Sequence, residues 1–248
     1  MMHSYGDKQI AIPVGFKNLE ELENKIKKFS FRVRKEECLD LPSKLYAKRV
    51  VHLTDEQKKL YEELKQQAHT NLQGDYMTVN NAMTEIIRLH QITAGFFKGE
   101  SSVIQKLENN KMKTLFEILE ESDAKTIVWA NWVHNIEDIT SKLREKYGPE
   151  SVVNFYGAVS SDDRSKAIKL FQEDSKCRFF VANPSTGGYG LTLTAATLVI
   201  YYSNSFDAEH RLQSEERAHR IGQKQKVTYI DLITEGTVDE KIVRSLKT

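Results

Sequence analysis

The chain has 248 residues, 40% apolar and 29% charged, with 36 Lys and Arg against 35 Asp and Glu. That composition is of a soluble globular protein with room for one large domain or a domain plus an appendage; four prolines argue against a long disordered linker. Two cysteines without a Cys-x2-Cys partner exclude a disulfide framework or a cysteine zinc site. No run approaches the ~18 apolar residues of a membrane span and no apolar signal region opens the chain, so an intracellular protein without a membrane is expected.

In chain order, Leu19, Leu22, Ile26 and Phe29 recur at helical spacing and predict one short amphipathic helix in an otherwise irregular lead-in. Residues 46–53 read as a strand, and Thr54 opens a helix as a capping box with Gln57. Asp55 and Glu56 stand in that helix's first turn, where acids favour the dipole, and are not read as a metal-binding pair. Two further helices are predicted from Met77 to Phe97 and from Ile104 to Leu119. Beyond Lys111 short apolar runs alternate with helical patterns. Strands are expected at 126–130, 152–156, 177–182, 197–202 and 227–233, and helices at 135–147, 161–172 and 207–221. A second capping box, Thr237 with Glu240, opens the last helix. Such alternation predicts an α/β fold, a parallel sheet with helices on both faces whose ligands sit at the carboxyl ends of the strands.

Two stretches carry the chemistry. The loop Ser185-Thr186-Gly187-Gly188-Tyr189-Gly190 follows a strand end, and its glycines let backbone approach a ligand closely. Downstream, Gln213, Arg217 and Arg220 are spaced i, i+4, i+7, so one helical face carries two guanidiniums suited to a polyphosphate. Gly222 is placed to end that helix.

Gln213-x3-Arg217-Ala218-His219-Arg220-Ile221-Gly222-Gln223, behind Gly187-Gly188-x-Gly190-Leu191-x-Leu193, resembles motifs V and VI of the Snf/Swi family of helicase-like, DNA-stimulated ATPases. Leu89-His90-Gln91-Ile92 resembles the family's Leu-Arg-Gln-Ile element, with His90 at the arginine position; it is read as a packing residue. Asn204-Ser205-Phe206-Asp207 departs from the Asp-x-x-Trp-Asn-Pro of many chromatin remodellers and points towards a prokaryotic or phage-type member. The resemblance implies a second RecA-like lobe over 111–248, a helical protrusion over 46–110, and a lead-in from the first lobe over 1–45. On this reading the chain is truncated at both ends.

The resemblance also implies roles. Arg217 and Arg220 would face ATP, Arg220 as the arginine finger, with Gln213, Gly187, Gly188 and Gly190 about the nucleotide. Ser185, Thr186, Asn131, Trp132, Ser160 and Arg164 would contact the backbone of double-stranded DNA; Ser185 stands where the family commonly has a basic residue. Trp132 reads more readily as a core residue than as a contact, and Ser160 equally well as a helix cap. ATP and Mg2+ would be held mainly by a first RecA-like lobe, since no G-x4-G-K-[ST] loop occurs in this chain. No residue is assigned to a metal. The expected function is half of an ATP-driven DNA translocase, inactive as an ATPase alone, in the cytoplasm or nucleus. A non-enzymatic nucleic-acid- or protein-binding module derived from such a lobe, and an RNA partner, stand as alternatives.

Overall fold

The computed structural model describes residues 2–5, 8–11, 15, 17–31, 33, 39–73, 79–99, 103–187 and 190–246. It divides into two compact units, Met1–Asp40 and Leu41–Thr248. In the first, β1 (Met2–Tyr5) and β2 (Lys8–Ala11) pair antiparallel where no regular structure was expected. The predicted amphipathic helix is α1 (Leu19–Lys27), supported on its polar side by the i,i+4 pairs Glu21–Lys25 and Glu23–Lys27.

The second unit opens with β3 (Lys44–Val51), followed by α2 (Asp55–Gln73), α3 (Val79–Thr93), β4 (Phe96–Lys98) and β5 (Ile104–Lys106). Then come α4 (Asn110–Glu120), β6 (Thr126–Trp129), α5 (Val133–Tyr147), β7 (Val152–Phe155), α6 (Ser161–Glu173) and β8 (Phe179–Ala182). The chain finishes with α7 (Pro184–Gly187), β9 (Leu198–Tyr201), α8 (Ala208–Ala218), β10 (Val227–Thr234) and α9 (Val238–Ser245). Six strands form one parallel sheet in the order β3-β10-β9-β6-β8-β7. The central strands are buried throughout because both faces are covered, which is why they read as unbroken apolar runs. Alternate residues serve opposite cores: Val128 and Ala130 pack with α4 and α5, while Ile127 and Trp129 pack with Phe171 of α6 and Ala218 of α8.

Three sequence expectations are corrected. Residues 44–51 do not stand apart with the helical segment; they are the edge strand of the main sheet, in register with all of β10. The helix expected to reach Phe97 stops at Thr93, because Gly95 turns left-handed at φ +91° and 96–98 pair antiparallel with 104–106. The helix expected from Ile104 therefore begins only at Asn110, capped by Asn109, whose side chain accepts from the Met112 amide at 3.0 Å. The close approach is tight: a Cβ on Gly95 would lie 2.0 Å from Asn109 Nδ2.

The helices α2 and α3 and the β4–β5 hairpin form an insertion with its own small core of Tyr61, Leu64, Ile92 and Leu107. The capping box forms as read: Thr54 Oγ1 accepts from the Gln57 amide and Gln57 Oε1 accepts from the Thr54 amide. Gln57 Nε2 also donates to Ile92 O at 2.6 Å, joining the two helices. No helix among the described residues is long and apolar enough to cross a membrane.

Candidate nucleotide and nucleic-acid site

Asp207 caps α8 by accepting from the His210 amide at 3.0 Å. The helix ends at Ala218, four residues before the expected stop, and Gly222 at φ +99° belongs to the turn beyond it. Arg217 is therefore helical and Arg220 is not. A shared acceptor brings them together instead: Arg217 Nη1 and Arg220 Nη1 donate to Leu191 O at 3.4 and 3.1 Å. Arg217 Nε donates to Gln213 O at 2.9 Å, and Arg217 O accepts from the Leu193 amide at 2.9 Å. The segment behind the glycine loop is thus stitched to the arginine helix.

Neither arginine forms an ion pair with a carboxylate within 4.0 Å among the described residues. The neighbouring acids turn elsewhere: Glu215 accepts from Tyr46, Lys44 and Arg211, and Glu216 from Lys44. Burial, and then the charge of Arg220, push the Arg217 pKa below its ordinary value, with Glu216 opposing. Two guanidiniums sharing one neutral carbonyl leave most of their ten N–H donors unspent. An anion with several acceptor oxygens would relieve that repulsion and fill those donors.

Gln213 donates from Nε2 to Glu209 Oε1 at 2.7 Å, and its buried Oε1 has no partner among the described residues. Gly187 ends α7 and Gly190 adopts φ +74° at an exposed position, a conformation suited to glycine. Gly188 falls outside the described residues, so its expected nucleotide contact has no geometry here.

The remaining candidates gather at the carboxyl ends of β6, β7 and β8. Asn183 organises them: its Nδ2 donates to Asn131 O at 2.8 Å, and its Oδ1 accepts from the Ser185 amide and hydroxyl at 2.8 and 2.6 Å. Its own amide donates to Phe155 O at 3.2 Å. Ser185 therefore spends its donors on Asn183. Ser160 caps α6, accepting from the Asp163 amide and donating to Asp163 Oδ2 at 2.7 Å. Arg164 donates to Tyr156 O and Gly157 O while its guanidinium covers the Phe155 ring, 5.4 Å from its centroid. The Trp132 ring sits between His90 and Phe96, at 5.5 and 5.8 Å between centroids. Among the described residues the Asn131 side-chain amide and the Thr186 hydroxyl have no partner, and neither do the buried Trp132 Nε1 and Arg164 Nε.

Three groups escaped the sequence reading. Asn183 was hidden because its partners lie on three separate segments, the loop after β6, the end of β7 and the short helix α7. Arg211 lies 3.5 Å over the Tyr201 ring and bonds Glu215, Asn204 and Asp231; only its i,i+4 spacing to Glu215 was legible. Gln223 donates from Nε2 to Thr194 O, Ala196 O and Ala218 O at 3.0–3.1 Å, fastening the motif's last turn to the crossover that leads into β9. A cavity of about 480 Å³ lined by Tyr46, Arg211, Leu212, Asp231 and Ile233 touches none of the expected site residues.

Residues 110–222 match the helicase conserved C-terminal domain, a span that holds both the strand-end group and the arginine pair. The chain resembles the solved core of the Sulfolobus solfataricus SWI2/SNF2 ATPase in complex with double-stranded DNA, at 27% identity and a TM-score of 0.66, covering 91% of this chain and 49% of that one. By these likenesses the chain carries a helicase C-terminal domain and is similar to the C-terminal half of SWI2/SNF2 ATPase cores. The C-terminal part of the Fun30 ATPase domain shares the fold, with a TM-score of 0.71 at 19% identity over 84% of this chain and 91% of that chain. Among curated relatives, a putative ATP-dependent helicase/translocase of Bacillus subtilis, YwqA, is 29% identical over 91% of this chain, and the mouse DNA excision repair protein ERCC-6-like 36% over 55%. The matched stretch spans 26% and 11% of those two proteins.

Proposed function

We propose that this lobe is the arginine-bearing half of an ATP-driven translocase on double-stranded DNA. The observation that carries the reading is the pair Arg217 and Arg220, two guanidiniums on one carbonyl without a carboxylate partner among the described residues. They supply the positive charge that phosphoryl transfer requires at the departing phosphate, Arg220 as the finger and Arg217, held by Gln213 O, behind it. Gln213 and the glycines at 187, 188 and 190 would border the nucleotide. The phosphate cradle and the water-orienting acid come from a first RecA-like lobe, and the chain alone does not hydrolyse ATP. Among the described residues no group of three or more His, Cys, Asp and Glu could hold a metal ion.

DNA binds along the carboxyl ends of β6 and β8, where Asn131 and Thr186 offer free donors. Ser160, Ser185 and Arg164 hold the loops rather than the phosphates, and Trp132 packs. Few cations line this strip, so binding is weakly salt-dependent and indifferent to sequence. Fluorescence anisotropy of a labelled duplex tests this. Asn131→Ala and Thr186→Val should each weaken binding roughly three- to tenfold, the weight of about one hydrogen bond. Equal affinity for an RNA duplex, or no effect of either substitution, would remove DNA from the reading.

A further inference from the structure

The loop that carries Asn131 is held from below by the sheet. Its amide donates to Ser203 Oγ at 2.9 Å, its carbonyl accepts from Asn183, and the Ala130 amide donates to Ala182 O at 2.9 Å. On its other flank it meets the insertion. Trp132 is the N-cap residue of α5 yet makes no side-chain cap, so its indole is free to serve packing. His90 of α3 lies across that indole at an interplanar angle of 60°, and Phe96 of β4 meets it edge-on at 78°. Both rings are buried and both belong to the insertion.

The insertion's grip is itself anchored at one carboxylate. Asp239, in the first turn of α9, accepts from Thr93 Oγ1 at 2.9 Å and from the Thr234 amide at 3.0 Å. It pairs with Lys111 Nζ at 2.6 Å, and His90 Nε2 lies 3.9 Å away. Beside it the Val238 amide donates to Tyr61 OH of α2 at 2.9 Å. The last turn of α3 is thereby tied to α4, β10 and α9, so His90 has a fixed platform.

We propose that the insertion is the positioning element of the β6 loop: His90 and Phe96 clasp Trp132 and so hold Asn131 with its side-chain amide turned to the nucleic acid. This rests on the assignment of Asn131 to DNA. His90 and Phe96 are positioning residues and touch no ligand.

The test uses the 248-residue chain with His90→Ala, His90→Phe and Phe96→Leu, each checked for folding by far-UV circular dichroism. Trp132 and the fully buried Trp129 are the two tryptophans, so a change in acrylamide quenching reports Trp132. His90→Ala should raise quenching about twofold and weaken duplex binding about tenfold, while His90→Phe, which restores a ring, returns both towards wild type. Phe96→Leu, which removes the second ring against the indole, should act like His90→Ala and keeps the test open where that variant fails to fold. Unchanged quenching overturns the clasp, and changed quenching with unchanged affinity overturns its positioning role. If the wild-type chain does not bind duplex DNA at all, the assignment of Asn131 falls instead, and quenching alone decides the clasp.

Discussion

Gln223 shows how a single side chain sets the geometry of two others. The two N–H groups of its amide are shared among three carbonyls, two buried and one part-buried, and its Oε1 accepts from the Gln225 amide at 2.9 Å. Gln223→Ala would leave those carbonyls without a donor, at a cost of about 2–3 kcal/mol. For a domain of this size that lowers Tm by roughly 5–10 °C. Thermal denaturation followed by circular dichroism checks it, and an unchanged Tm would show that the latch contributes nothing. The residue types at the arginine site were legible because a distinctive run of eleven residues carries them. Their geometry was not: helical spacing placed Arg220 on the face of Arg217, whereas the chain leaves the helix at His219 and Leu191 O gathers both. Likewise Ser160 and Ser185 have the right chemistry for phosphate, but only hydrogen-bond partners show those hydroxyls already engaged.

Elements with both faces buried or a clean cap were legible from period and cap residues alone, as the strands from 126 to 234 and the capping box at Thr54 show. Elements made by distant contacts were not. The β4–β5 hairpin exists because Gly95 approaches Asn109, and β3 joins the sheet only through β10, some 180 residues later. The same long-range packing gives α3 a pH signature. Burial, helped by Lys111 and opposed by Asp239, pushes the His90 pKa from its ordinary 6.5 down to about 4. The neutral ring is therefore favoured in the folded state. Its contribution is complete above pH 6.5 and is lost as pH falls through the window from 6.5 to 4. The loss approaches about 3 kcal/mol by order of magnitude. Asp239 adds nothing in that window, because Lys111 and His90 overcome its burial and hold its pKa below the usual carboxylate value. Urea denaturation between pH 7 and 4 should show this slope, and His90→Phe should flatten it. An equal slope in both proteins would assign the pH dependence elsewhere.

At the scale of the whole molecule, two groups of residues stand apart and are joined by one segment. Asn183 pins its start to the strand ends, while Arg217, Arg220 and Gln223 pin Leu191 to Ala196 at its finish. A shift of the arginines on a phosphate would pull on the same stretch of chain that carries Thr186. In the proposed translocase that stretch would couple nucleotide to DNA. The direct measurement is steady-state ATP hydrolysis with duplex DNA, by the chain alone and by the chain joined behind a lobe that carries a phosphate loop and an Asp-Glu box. The chain alone should show no turnover. The joined protein should be DNA-stimulated and should lose about 10³-fold or more in kcat with Arg220→Ala. Turnover by the chain alone that Arg220→Ala abolishes, or a joined protein indifferent to that substitution, would contradict the account.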